Sequence, residues 1–200
     1  MEVKRTQAQR SAQTQAALVA VARPLFAEHG YAAISTDQIA RAAGMTRGAL
    51  YHQFSGKEEL FAAVVEQIEA EIAARIGAHI EAAAPTDTEG MISANIDAFL
   101  AACADPEVHR IALIEAPAAL GWERWRGICF KYGVGLVEMT LQALMDAGLV
   151  AQQPLRPLAH VVAGAVDEAA LYAARAEDRE LATKEARAAL IALVTGLLVK

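Results

Sequence analysis

Apolar positions recur at helical spacing along almost the whole chain. From about Ala12 to His29, the residues Leu18, Val21, Ala22, Leu25 and Phe26 fall on one face. This predicts a first helix that Gly30 stops and that Pro24 kinks or locally disturbs. Ser35 followed by Gln38 has capping-box spacing and opens a short helix through Ile39 and Ala43, closed at Gly44. Thr46 caps another short helix through Arg47, Leu50 and Gln53. Ser55 with Glu58 repeats the capping pattern and opens a long helix from Gly56 to about Ala82. Three helices within so few residues, joined by very short turns, have the spacing of a helix-turn-helix.

Residues 83–90 read as a linker. Beyond it the pattern predicts a helix over Met91–Ala102 and a short one capped by Asp105, starting at Pro106 and running through Ile114. A long helix follows from Pro117 to about Ala147, ended by Gly148. Another spans about Pro157 to Ala176, and the last, capped by Asp178, continues to the C-terminus. Neither a convincing strand nor an internal repeat emerges. The expected fold is all-α, with an N-terminal three-helix domain over residues 1–60 and a larger helical domain over 61–200. Residues 1–11, polar and without periodicity, read as a flexible arm.

Composition agrees with that class. Hydrophobic residues make up 55% of the 200 and charged residues 21%, enough to bury a core and too apolar for global disorder. The net charge of −6 taken alone argues against a nucleic-acid partner, but its distribution along the chain argues for one. Residues 1–57 hold seven basic and three acidic side chains, whereas the remainder holds 11 basic and 21 acidic. A polyanion is drawn to the first segment and repelled by the second. No apolar run reaches bilayer-spanning length and the first ten residues lack an apolar signal core, so a cytoplasmic protein without a membrane partner is expected. Cys103 and Cys129 read as small buried apolar residues. No metal-ligand spacing, nucleophile motif or phosphate loop appears, so neither catalytic residues nor a cofactor or metal are expected.

The run from Phe26 to Phe61 resembles the DNA-binding domain of the TetR family of tetracycline-repressor-like regulators. The likeness is carried by Gly30, Thr36, Ile39, Ala40, Ala43, Gly44, Tyr51, Phe54, Lys57 and Leu60. It implies a transcription regulator, by default a repressor, that binds a double-stranded operator as a homodimer and releases it on binding a small molecule. A recognition helix must present its N-terminal end to the major groove, and Thr46, Arg47, Gly48 and Ala49 form that end. Arg47 can make a bidentate contact to guanine, and the small Gly48 lets the backbone approach. Thr36, Tyr51, His52 and Lys57 are expected at phosphates, with Gln53 a lesser candidate; for Lys4, Arg5 and Arg10 a disordered tail is the default and a non-specific DNA-binding arm the alternative. Leu18, Phe26, Ile39, Ala43, Leu50 and Phe54 are expected to form the small core behind them.

In the larger domain, Trp122, Trp125, Cys129, Tyr132, Leu136 and Met139 form a stripe at steps of three and four. Core packing is the commoner origin of such a stripe. The resemblance implies a pocket among these helices, lined by Trp122, Trp125, Cys129 and Tyr132, with Phe99, Met91 and Ile114 opposite. A terminal helix carrying Leu190, Ile191, Leu193, Val194, Leu197 and Leu198 over most of its circumference needs cover beyond its own domain. This points to a homodimer through the last two helices. The competing expectations are an all-α enzyme or sequestering protein, and a DNA-binding protein without an inducer. The identity of the effector and the operator sequence do not follow from the residues.

Overall fold

The computed structural model describes residues 6–199. The chain forms α1 (Gln7–His29), α2 (Thr36–Ala42), α3 (Arg47–Gln53), α4 (Lys57–Ala83), α5 (Thr88–Cys103) and a single turn, α6 (Pro106–Val108). A π-helical stretch, His109–Glu115, leads into α7 (Ala116–Leu120) and α8 (Trp122–Cys129). A second π stretch, Phe130–Val134, leads into α9 (Gly135–Asp146), followed by α10 (Leu155–Arg175) and α11 (Arg179–Thr195). The all-α expectation holds.

Two of the expected capping devices of the helix-turn-helix are present. Ser35 and Gln38 close a reciprocal box at the start of α2, and the Thr46 hydroxyl accepts from the Ala49 N–H at 3.1 Å. Gly44, at φ +64°, takes the left-handed conformation that lets the chain turn from α2 into α3. Further along, the Asp87, Asp105 and Asp178 side chains each accept a backbone N–H at the head of a helix.

Several boundaries differ from those the sequence predicts. The expected flexible arm is helical from Gln7, because Thr6 and Gln9 form their own capping box; Lys4 and Arg5 lie outside the described residues. Pro24 sits inside α1 without ending it. The linker shrinks to residues 84–87. The long helix after Pro117 is broken at Gly121, where φ is +77°, and again by the π stretch at Phe130–Val134. The last helix stops at Thr195, and the Val199 N–H then donates to the Leu149 carbonyl at 2.8 Å.

The chain divides into two compact units. The first comprises residues 1–67 and 110–125, the second residues 68–109 and 126–200. The boundary therefore falls inside α4 rather than at residue 60, and a segment distant in sequence joins the first unit. That unit's core is formed by Leu18, Phe26, Ile39, Leu50, Leu60, Phe61, Val64 and Val65, all essentially inaccessible. Ala43 and Phe54, expected in the same core, are only half-buried. Phe26, Tyr31 and Phe61 cluster with ring centroids 4.7–5.9 Å apart, so the turn after α1 is packed onto α4.

In the second unit α10 packs on α9, α5 and α11, and α11 also packs on α5. Val134, Leu141, Ala159, Val162 and Ala163 form one buried cluster there. Two ion pairs tie the helices together: Arg187 with Asp97, and Arg126 with Asp167 at 2.8 Å. Among the described residues no helix is long and apolar enough to cross a membrane.

Candidate nucleic-acid interface

α2 and α3 pack on each other and on α1. Ile39 and Leu50 are buried between them, which fixes which side of α3 faces outward. That outer side carries Thr46, Arg47, Gly48, Tyr51 and His52, all exposed. Tyr51 retains 42% of its accessible surface, so it is a surface residue and not part of the core.

The exposed side chains form a connected lattice. The Thr36 hydroxyl lies 3.3 Å from the Tyr51 hydroxyl, and the Arg47 guanidinium sits 5.3 Å from the centroid of the Tyr51 ring. Arg47 also presents Nε and Nη1 to the two carboxylate oxygens of Asp37, each at 3.4 Å. The Thr36 hydroxyl, and then Arg47, hold the Tyr51 phenol below its ordinary pKa. Tyr51 and then Asp37 raise that of Arg47, whose charge is thereby secured. Thr36 and Asp37 come from the first turn of α2, so its Ser35 capping box also sets where these two groups stand.

Gly48 is open. A Cβ built there meets nothing nearer than the Thr46 Oγ1 at 3.9 Å. Packing within the chain does not demand glycine at this position, although glycine lowers helix stability.

Two candidates are more occupied than expected. Lys57 donates to the Tyr31 carbonyl at 2.9 Å and lies 4.2 Å over the Tyr31 ring. Its ammonium has further protons to offer, but it is anchored first to the turn after α1. Gln53 is an internal strut: its side-chain oxygen accepts from the Ser11 hydroxyl at 2.7 Å, and its carbonyl from Gln15 at 3.4 Å. Its amide nitrogen lies 3.3 Å from His52 Nδ1. The foot of α3 is thus tied to the head of α1, a contact that no local pattern announces.

Residues 110–125 brace the same unit. Arg110 donates to the carbonyls of Ala27 and Glu28 at 2.9 and 2.8 Å, capping α1 where its carbonyls lack helical partners. Glu115 accepts from the Tyr31 N–H and pairs with Arg110. Arg124 spans Glu58 and Glu59 in the first turn of α4, at 2.8 Å to each. Sequence reasoning missed all three, because their partners lie more than sixty residues away.

The seven residues expected to line a pocket separate into two groups. Ile114, Trp122 and Trp125 lie in the first unit, and Met91, Phe99, Cys129 and Tyr132 in the second. Trp125 is buried and its indole N–H donates to the Ala112 carbonyl at 2.9 Å, whereas Trp122 is 62% exposed. The uniform stripe read from the sequence fails because Trp122 is the first residue of α8, directly after the break at Gly121, and because the π stretch resets the helical phase before Leu136 and Met139, which are both exposed. Burial pushes the Cys129 and Cys103 thiols far up, which keeps both protonated and inert.

Comparison with known proteins gives the same reading of the whole chain. Residues 18–64 match the model described as bacterial regulatory proteins, tetR family. Residues 89–197 match the tetracyclin repressor-like C-terminal domain. The TetC protein of transposon Tn10 from Escherichia coli is 28% identical over 198 residues, 99% of this chain and 97% of its own. The regulator CymR of Pseudomonas putida is 38% identical over 84 residues, 42% of this chain and 41% of its own length. The crystal structure of a TetR-family transcriptional regulator from Pectobacterium atrosepticum superposes with a TM-score of 0.73 at 36% identity, covering 98% of this chain and 99% of that one. The chain belongs to the TetR family of non-enzymatic, DNA-binding transcription regulators, whose members typically act as dimeric repressors.

Proposed function

We propose that this regulator is a repressor of a palindromic operator and is released from it by a small apolar or amphipathic effector. The observation that carries the reading is the outward face of α3, where Arg47, Gly48, Tyr51 and His52 stand exposed beside Thr36 and Thr46. Arg47 reads a guanine edge in the major groove. Thr36, Thr46, Tyr51, His52 and Lys57 position the backbone, and Gly48 admits it closely. The second unit holds the effector, with Phe99, Cys129 and Tyr132 in its wall. Glu69, Arg126 and Asp167, close to Cys129, give that region the polar groups an amphipathic molecule requires.

Coupling runs through covalent continuity. α4 passes from one unit to the other after residue 67, and the chain changes unit again after residues 109 and 125. An effector that favours one geometry of the second unit thereby biases the helices that carry the reading surface. The reading is tested by selecting bound duplexes from the source genome and measuring affinity for the selected site. Arg47→Ala is expected to flatten discrimination at one base pair per half-site. Lys57→Ala should instead weaken all sequences alike and lower the salt slope by about one. Equal loss on every sequence for both substitutions contradicts the roles.

A further inference from the structure

The reading surface contains one group that a DNA-binding face should not want. Between His29 and Lys57 the chain has a single acidic side chain, Asp37. It is exposed, in the first turn of α2, on the same face as Arg47. A carboxylate there repels every phosphate that approaches. It does not cap α2, since Ser35 and Gln38 do that reciprocally.

Its partner explains its place. The Arg47 Nη1 donates to one carboxylate oxygen at 3.4 Å and Nε lies 3.4 Å from the other, while the Tyr51 ring centroid lies 5.3 Å from the guanidinium. An arginine has five N–H donors in a rigid planar fork. With one Nη1 proton given to Asp37, the guanidinium keeps donors on Nη1 and Nη2 for the two acceptors of a guanine. Phosphate competes for the same fork, and a long flexible side chain on a surface drifts toward the nearest phosphate. Asp37 opposes that drift twice, by holding Nη1 and by repelling the phosphate that would capture the guanidinium.

We infer that Asp37 is a positioning residue that aims Arg47 at a base edge, exchanging general DNA affinity for sequence discrimination. The inference rests on the assignment of Arg47 as base reader. It separates Asp37 from the phosphate-binding set, because removing it is expected to tighten non-specific binding.

The experiment uses the full-length protein and a duplex that the wild type selects from a randomised library. Each base pair of that duplex is substituted in turn, and binding is measured across a salt series for wild type, Asp37→Asn, Asp37→Glu, Arg47→Ala and the Asp37→Asn/Arg47→Ala double variant. Asp37→Asn is expected to bind an unrelated duplex roughly two- to fivefold more tightly, the range of an exposed charge pair. It should lose a similar factor of discrimination, and only at the base pair that Arg47→Ala flattens. Asp37→Glu should restore most of that discrimination, and the double variant should discriminate no worse than Arg47→Ala alone. If Asp37→Asn keeps wild-type discrimination at that base pair, or weakens all sequences alike, the inference is wrong while the role of Arg47 stands. If Arg47→Ala flattens no base pair, the base-reading assignment fails and the inference falls with it.

Discussion

Glu69, on the part of α4 that belongs to the second unit, is a carboxyl group in a place that resists its charge. The Cys129 thiol donates to it at 3.6 Å, and Asp167, itself paired with Arg126, adds a second negative charge nearby. Burial first, and then Asp167, raise its pKa from 4.5 to about 7. Burial likewise raises Asp167, against the pull of Arg126. The folded protein therefore prefers Glu69 protonated, whereas the unfolded chain ionises it at ordinary acidity. The stability this group contributes is complete below about pH 4.5 and is lost as the pH climbs through about 7. Glu69→Gln keeps the shape and removes the ionisation. Its thermal stability relative to wild type should be nearly level at pH 5 and rise by pH 8, by an amount on the order of 1–3 kcal/mol. Melting curves across that range check the trend, and a difference independent of pH would show that the carboxyl is not held neutral.

At the scale of elements, the turn after α1 shows how much the reading head owes to distant chain. Gly30 has φ +86°, a conformation that L side chains rarely adopt. A Cβ there would stand 2.6 Å from Glu115 Oε1 and 2.9 Å from Arg110 Nη2. Gly44 is also left-handed, at φ +64°, but nothing lies within 4 Å of its Cβ position. Gly44→Ala should cost backbone strain alone, about 1 kcal/mol. Gly30→Ala should cost more, about 2–3 kcal/mol, because φ +86° with ψ 159° is essentially closed to L side chains and because the added Cβ displaces the Arg110–Glu115 brace. Thermal denaturation of the two variants checks the order, and equal losses would mean the brace yields freely.

This contrast also marks what a sequence can reveal. Ser35, Gln38, Gly44 and Thr46 act within a few residues of themselves, so α2 and α3 and the outward face of α3 are legible. Thr6 and Gln9 carry the same local signal for α1, but the polar segment around them masks it. The break at Gly121 has a glycine to announce it, hidden because apolar spacing continues on both sides. The two π stretches have no such cue. Their register depends on packing and not on residue preference. Gln53 with Ser11, Arg110 with α1 and Arg124 with Glu58 and Glu59 are long-range pairings of common polar residues, invisible until the chain is folded.

For the whole molecule, the open question of surface is what covers the outer faces of α10 and α11. On α10, Val161 and Tyr172 are 65% and 53% exposed and stand eleven residues, three turns of helix, apart on one side. On α11, Ala188, Ala189 and Ala192, small residues that let a second helix approach closely, are exposed together with Leu193. Of the apolar positions expected around the last helix, Leu190 is buried in its own unit beside Ala182 and Ala186, and Val194 and Leu197 pack on the cluster of α9 and α10. The exposed positions, with Val161 and Tyr172, form the surface we propose for a second copy. Two copies joined there give a two-fold molecule with two reading surfaces, as a palindromic site with half-sites about 34 Å apart requires. A carboxylate placed in the middle of such an interface has no partner and meets its own symmetry mate. Val161→Asp combined with Leu193→Asp should therefore sediment as a monomer with unchanged helical circular dichroism, and should bind a two-half-site duplex no better than a single half-site. Met139→Asp on α9, although Met139 is 71% exposed, should remain dimeric and bind normally. Sedimentation of the two proteins decides between the faces: dissociation by Met139→Asp alone would move the dimer contact to α9 and leave the α10–α11 surface to some other partner.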